Sequence, residues 1–331
     1  MKKFSVAILG ATGTVGQKAI SMLAQHPFLE ITEIAASEGN KDKRFGDVVN
    51  WRDESELPLN IANMILKSPK EITAPYAISA LPSDSAQEIE PFLANKGIHI
   101  FSNASTFRMD EKTPLLIPEI NPDHIKLIEA QATKGKIVTN PNCSTVMLAC
   151  ALKPLMSLGK LKHVSVVTLQ AASGAGYPGV PSLDLIGNTI PFIGQEEDKI
   201  ESESLKILGQ IEAHKIQRAQ FDVTCHVNRV PVADGHSVIL HAYYESPVSP
   251  EEVRKSFLQQ ENLFKVYTED NRPQPKRDLT AYDMRIHIGR IKQGATPNVI
   301  GLLSLGHNLV RGAAGAAIIN LEHFLKYTKA I

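Results

Sequence analysis

The chain has 331 residues, 43% of them hydrophobic and 21% charged, and its 35 lysines and arginines balance its 35 aspartates and glutamates. At roughly 150 residues per domain this length accommodates about two domains, while 21 glycines and 20 prolines exclude collagen-like and low-complexity organisation. A formal net charge of +0 argues against nucleic acid as the main partner, so any anion must be met by a few placed cations.

At the N-terminus, Lys2 and Lys3 precede only Val6-Ala7-Ile8-Leu9 before Gly10, short of the roughly 7–15 apolar residues of a secretory segment. No run reaches the about 18 apolar residues of a membrane span. The three cysteines, Cys143, Cys150 and Cys225, are few and odd in number. Cys143 and Cys150 fall on one expected helix, about 10 Å apart along its axis at 1.5 Å per residue, beyond disulfide reach. Free thiols in a reducing cytoplasm are the expectation, and one thiol is available as a nucleophile.

In chain order, Ser5–Leu9 reads as a strand buried on both faces, Thr14–Gln25 as a helix ended by His26-Pro27, and Ile31–Ala36 as a second strand. Strands follow at Tyr76–Ala80 and Ile98–Ser102, with a helix from about Asp84 to Asn95 between them. Alternation of this kind predicts a doubly wound parallel sheet. The character changes near residue 140. Ile137-Val138-Thr139 reads as a strand, Asn140-Pro141-Asn142 as a turn and Ser144–Leu158 as a helix. Longer, alternating strands follow at Val164–Gln170, Val223–Val232, Ser237–Glu245 and Tyr282–Ile291. The fold class is therefore α/β: an N-terminal doubly wound dinucleotide-binding domain, then an α+β catalytic domain with a mixed, largely antiparallel sheet. The expected division is 1–140 for the first and 141–310 for the second. The C-terminal helix, about 311–331, is expected to pack back on the first.

Gly10-Ala11-Thr12-Gly13-Thr14-Val15-Gly16 lies between a strand and a helix. Glycines there let backbone N–H groups approach a pyrophosphate at the helix N-terminus. Gly16-Gln17-Lys18 lacks the lysine-hydroxyl pair of a P-loop. At the tip of the second strand an acidic residue would hold a ribose 2′-hydroxyl, whereas Ser37, followed by Lys41, Lys43 and Arg44, suits the 2′-phosphate of NADP.

Asn140–Thr145 places Cys143 at a helix start, where the dipole and free N–H groups are expected to lower a thiol pKa and to stabilise an oxyanion. Cys150 and Cys225 read as core. Among eleven histidines, His236 follows the turn Ala233-Asp234-Gly235 and is the candidate acid/base, whereas His163, His226, His241 and His287 fall in strand patterns and read as structural. No H-E-x-x-H motif or paired Cys/His spacing suggests a metal.

Together these residues resemble the aspartate-semialdehyde dehydrogenases, most nearly the archaeal and fungal branch. The resemblance covers nearly the whole chain. It rests on Gly10–Gly16, Ser102-Asn103-Ala104-Ser105 with Arg108-Met109, Pro118-Glu119-Ile120-Asn121, Asn140–Thr145, Gln170–Gly179, Glu196-Glu197-Asp198-Lys199, Arg229-Val230-Pro231-Val232, Gly235-His236, Gly306-His307-Asn308 and Arg311–Gly315. It departs after Ser37, where relatives often carry a basic residue two positions on. What it implies is reduction of L-aspartyl-4-phosphate with NADPH through a thioester on Cys143, with His236 as acid/base, a task suited to a pKa near neutrality. Gln170 would orient the acyl group and Asn142 support the nucleophile's loop. Arg229 would fork the α-carboxylate, Glu196 accept from the ammonium, and Arg108 and Lys199 hold the phosphate. Gly10, Thr12, Gly13, Thr14, Val15, Ser37, Ser83, Ser173, Gly174 and Asn308 would contact the cofactor, 141–310 would be the catalytic and dimerisation domain, and homodimers or homotetramers would be expected.

Three other readings share parts of this pattern. N-acetyl-γ-glutamyl-phosphate reductase has similar chemistry but an acylated amine, with no use for Glu196 as an ammonium partner. A non-catalytic NADP-binding regulator would not need Cys143. A thiol hydrolase would leave the glycine turn without purpose.

Overall fold

The structure is a computed structural model in which residues 3–331 are described. The first sheet contains β1 (Phe4–Leu9), β2 (Leu29–Ala35), β3 (Tyr76–Ser79), β4 (His99–Ser102) and β5 (Ile137–Thr139) in the order β2-β1-β3-β4-β5. All four pairings are parallel. Strands of such a sheet are largely apolar because helices cover both faces, as here, and the edge strand β2 departs from this with Glu30, Thr32 and Glu33. Helix α1 (Thr14–Leu23) buries Ala19, Ile20 and Leu23 against Val6 and Ile8 on one face. Helix α2 (Ser83–Lys96) buries Leu93 and Ala94 against Ala7, Leu9 and Ile100 on the other.

Helix α3 (Cys143–Met156) is apolar nearly all round, as a helix buried at the centre of a domain must be. It lies against one face of a seven-stranded sheet made of β6 (Leu161–Gln170), β7 (Ile190–Pro191), β10 (Asp222–Arg229), β11 (His236–Tyr244), β12 (Phe264–Val266), β13 (Ile286–Gln293) and β14 (Val299–Gly306). The short strands β8 (Gln210–Glu212) and β9 (Lys215–Gln217) form a separate hairpin. The order is β12-β13-β14-β11-β6-β10-β7, with β12–β13 and β6–β10 parallel and the other pairs antiparallel. Helices α4 (Glu196–Ile207) and α5 (Pro250–Leu258) share the covered face with α3. Facing the other way, Val167 and Tyr243 are 37% and 39% exposed.

The last helix, α6 (Gly315–Tyr327), buries Ala317, Leu321 and Phe324 in the core of the first sheet. It follows a π-turn over Val310–Ala314 rather than a continuous α-helix from Arg311. Three strand expectations are corrected. β10 stops at Arg229 because Pro231 lacks the N–H a ladder needs. β13 starts at Ile286 because the Asp283 carboxylate takes the Arg285 N–H and His287 in a local turn. β14, a continuous apolar run in the middle of the sheet, is an added strand.

Candidate active site

The chain leaves the first sheet at the C-terminal end of β5, where open α/β sheets bind ligands, and four residues later reaches Cys143 at the start of α3. Asn142 caps that helix: its Oδ1 accepts from the Ser144 and Thr145 N–H groups at 2.9 and 3.3 Å, a contact worth about 1 kcal/mol in helices generally. The rest of Asn142 is held by α4. Its N–H donates to Glu203 at 2.7 Å and its Nδ2 to Glu196 at 2.5 Å.

Opposite Cys143 stand the ends of two parallel neighbours. Gln170 and Arg229 are register partners at the last positions of β6 and β10. Arg229, buried, donates through Nη1 to the Ala171 carbonyl at 2.8 Å. The first residue of β11, His236, is fully buried, and its Nδ1 accepts from the Ala171 N–H at 3.0 Å. That bond leaves the proton of the neutral ring on Nε2, which has no partner of its own. Gly174 closes over both: a Cβ there would lie 2.7 Å from Arg229 Nη1 and 3.0 Å from His236 Nε2. A cavity of about 410 Å³ is lined by Asn142, Cys143, Gln170, Gly174, Glu196 and Arg229, with Ile190, Phe192 and Ile193 as its apolar wall.

Two electrostatic expectations are corrected here. Burial pushes the Cys143 thiol up to about 12 and the Glu196 carboxylate adds to it, outweighing Arg108, the Ser144 N–H and Arg229, which pull it down. Helix position alone therefore does not produce a thiolate. Burial also pushes His236 down to about 3, reinforced by Arg229 and His307, so the ring is neutral rather than poised near neutrality.

Placement also refines the cations. Arg229 faces the cavity. Arg108, buried, does not line it: Nη1 donates to Glu203 at 3.0 Å and Nη2 to the Asn103 carbonyl at 2.7 Å. Lys199 lies beside Glu196, 3.5 Å from Oε1. Glu197 is engaged by the Val227 N–H of β10, which leaves Glu196 as the carboxylate at the cavity wall. Glu203 and Lys206, not singled out from the sequence, complete the support. Lys206 is buried and donates to the carbonyls of Arg108, Asp110 and Thr113 at 2.7, 2.8 and 3.0 Å. The signal for them is their spacing with Glu196 and Lys199, which puts all four on one side of α4.

At the glycine turn, Gly10 has φ +74° and a Cβ there would lie 2.5 Å from the Ala80 carbonyl oxygen; at Gly16 it would lie 2.3 Å from that of Gly10. The backbone can pass so close only without side chains, as a dinucleotide cradle requires. Gly13 is the residue before α1, with Thr12, Thr14 and Val15 around it. A second cavity, about 230 Å³, runs from Thr14 to Ser173. Asn308 bridges behind it, donating to Ser173 Oγ and accepting from the Gly235 N–H, both at 2.8 Å. Ser83 opens α2 and meets Ser105 at 3.0 Å. Ser37 sits past the tip of β2, where Glu38 is turned aside into a hydrogen bond from Ser68. That bond ties one oxygen of the Glu38 carboxylate to Ser68 without removing its charge.

Family models described as the semialdehyde dehydrogenase NAD binding domain and dimerisation domain match residues 5–128 and 152–311. Aspartate-semialdehyde dehydrogenase from Archaeoglobus fulgidus is 46% identical over 98% of both chains, and that from Saccharomyces cerevisiae 32% identical over 96% of both. The crystal structure of the Candida albicans enzyme with NADP superposes at a TM-score of 0.90, with 30% identity, over 99% of this chain and 100% of its own. Two matched domains, end-to-end relatives and a shared fold agree: the chain belongs to the aspartate-semialdehyde dehydrogenase family.

Proposed function

We propose that this protein reduces L-aspartyl-4-phosphate to L-aspartate 4-semialdehyde with NADPH, releasing phosphate, in the synthesis of lysine, threonine and methionine. The observation that carries the reading is the single cavity in which Cys143, Gln170, Glu196 and Arg229 converge, with His236 behind Gly174. The Arg229 guanidinium takes the α-carboxylate and Glu196 the α-ammonium. Pairing with the ammonium offsets the carboxylate that holds the thiol up, so the correct substrate itself favours the thiolate. Cys143 sulfur then bonds to the acyl carbon, and the carbon–oxygen bond to phosphate breaks, leaving a thioester. Arg108 and Lys199 receive the phosphate, which requires Arg108 to exchange its pairing with Glu203.

NADPH, held at the Gly10–Gly16 turn with Ser37 at its 2′-phosphate, supplies the hydride. His236 donates a hydrogen bond from Nε2–H to the oxyanion that hydride transfer leaves on the hemithioacetal, and Gln170 orients that carbon. Collapse expels Cys143 and gives the aldehyde. An acylated amine has no use for the Glu196 acceptor, which favours this substrate over N-acetyl-γ-glutamyl phosphate.

The domains are proposed to divide at 1–140 and 141–310, with 311–331 returning to the first. Among the described residues no helix is long and apolar enough to cross a membrane, and a cytoplasmic location is proposed with free thiols. The open face of the seven-stranded sheet supports a homodimer, alone or within a homotetramer.

The direct test is phosphate-dependent reduction of NADP, and of NAD, by aspartate semialdehyde. Wild type should turn over and prefer NADP, whereas Cys143→Ala should lose at least about 10⁴-fold in kcat, the scale of removing a covalent nucleophile. Retained turnover in the variant refutes the mechanism, and a preference for NAD refutes the role of Ser37.

A further inference from the structure

Two of the sequence motifs have no part in the chemistry above: Pro118-Glu119-Ile120-Asn121 and Arg311–Gly315. They meet in the structure. Arg311 is fully buried, and its guanidinium donates to both oxygens of Glu119, at 2.8 and 3.3 Å. Its Nη2 also lies 3.5 Å from Cys150 Sγ on α3, two turns beyond Cys143. The Arg311 side chain is buried while its partner Glu119 is 39% exposed, so the carboxylate is the counter-charge of a buried guanidinium at the edge of solvent, and removing it leaves that charge unpaired.

Arg311 lies within the π-turn Val310–Ala314, in which the Gly312 N–H reaches back to the His307 carbonyl at 3.2 Å and the Ala314 N–H to that of Leu309 at 2.9 Å. π-turns are rare and concentrate at functional sites. This one delivers Gly312 directly behind the nucleophile: a Cβ on Gly312 would stand 2.6 Å from Cys143 Cβ and 3.0 Å from its Cα. Just before the turn, Asn308 holds the Gly235 N–H beside His236. One ion pair thus anchors a segment that touches the nucleophile and braces His236.

We infer that the Glu119–Arg311 pair is a positioning device for the reaction, fixing the π-turn so that Gly312 seats Cys143 at the helix start where the Ser144 N–H can meet its sulfur. It rests on Cys143 being the nucleophile. It acts on placement of the thiol and leaves the Arg229 and Glu196 contacts to substrate untouched.

Glu119→Gln and Gly312→Ala separate this role from a structural one. In folded enzyme, below the onset of melting, kcat with aspartate semialdehyde, phosphate and NADP should fall at least about tenfold in both, with KM for the aldehyde within about threefold of wild type. The second readout needs no turnover: iodoacetamide alkylation of Cys143, followed by peptide mass spectrometry, should slow at least about fivefold, because a displaced thiol loses the donor that stabilises its anion. Gly312→Ala keeps the ion pair and meets Cys143 directly, so it reports the Gly312 contact; Glu119→Asp, which keeps the charge but shortens its reach, carries the test of the pair if Glu119→Gln does not fold. A lowered melting temperature with unchanged kcat and unchanged alkylation overturns the proposal. Failure of wild type itself to turn over would refute the proposed reaction while leaving the alkylation comparison to decide the positioning role.

Discussion

At the scale of single residues, Glu196 governs the resting state of Cys143. Burial and this carboxylate together hold the thiol far above the ordinary range, and the helix start does not compensate. Removing the charge should therefore free the nucleophile while harming recognition. Glu196→Gln is expected to accelerate iodoacetamide alkylation of Cys143 near pH 8 several-fold, since one unit of pKa is about tenfold in thiolate. The same variant should raise KM for aspartate semialdehyde by about tenfold or more, the cost of a lost charge-assisted hydrogen bond. Slower alkylation in the variant would mean that the carboxylate does not set the thiol. Sequence alone showed the thiol at a helix N-terminus and inferred activation; the depth of the site, which reverses the sign, belongs to tertiary packing and has no local signature.

At the scale of elements, α4 shows what was and was not legible. Its first turn was singled out through Glu196–Lys199. Glu203 and Lys206, one and two turns further, were not singled out, because charged residues at such spacing on a helix usually form a solvated face. Instead the stripe faces inward and holds Arg108, Asn142 and the 108–113 loop. Helix α2 buries a charge in a different way. Glu90 is fully buried, accepts from Ser102 Oγ at 2.6 Å, and is pushed up to about 7 by its burial. A carboxyl raised on folding contributes stability that is complete below its unfolded value of 4.5 and is lost as pH rises through about 7. Between about pH 5 and pH 8 wild type should lose on the order of 2–3 kcal/mol relative to Glu90→Gln. Parallel pH profiles of the two melting temperatures would contradict this.

At the scale of the whole molecule, the alternation of strands and helices up to Thr139 was readable because a doubly wound sheet requires it, and the switch to longer strands marked a mixed sheet. The inner strand Val299–Gly306 was not readable: a continuous apolar run fits a buried strand and a buried helix segment equally. The same limit hides assembly, because one face of the second sheet is covered by α3, α4 and α5 while the other leaves Val167 and Tyr243 open. If two copies meet there, Val167→Arg with Tyr243→Asp should convert a dimer to a monomer in sedimentation velocity, and an unchanged dimer would place the interface elsewhere. The central claim concerns covalency at Cys143, and intact-mass spectrometry tests it most directly. Enzyme mixed with aspartate semialdehyde and NADP but no phosphate is predicted to hold one aspartyl group as a thioester on Cys143, released on addition of phosphate. No adduct, or one mapped to Cys150 or Cys225, would contradict the account.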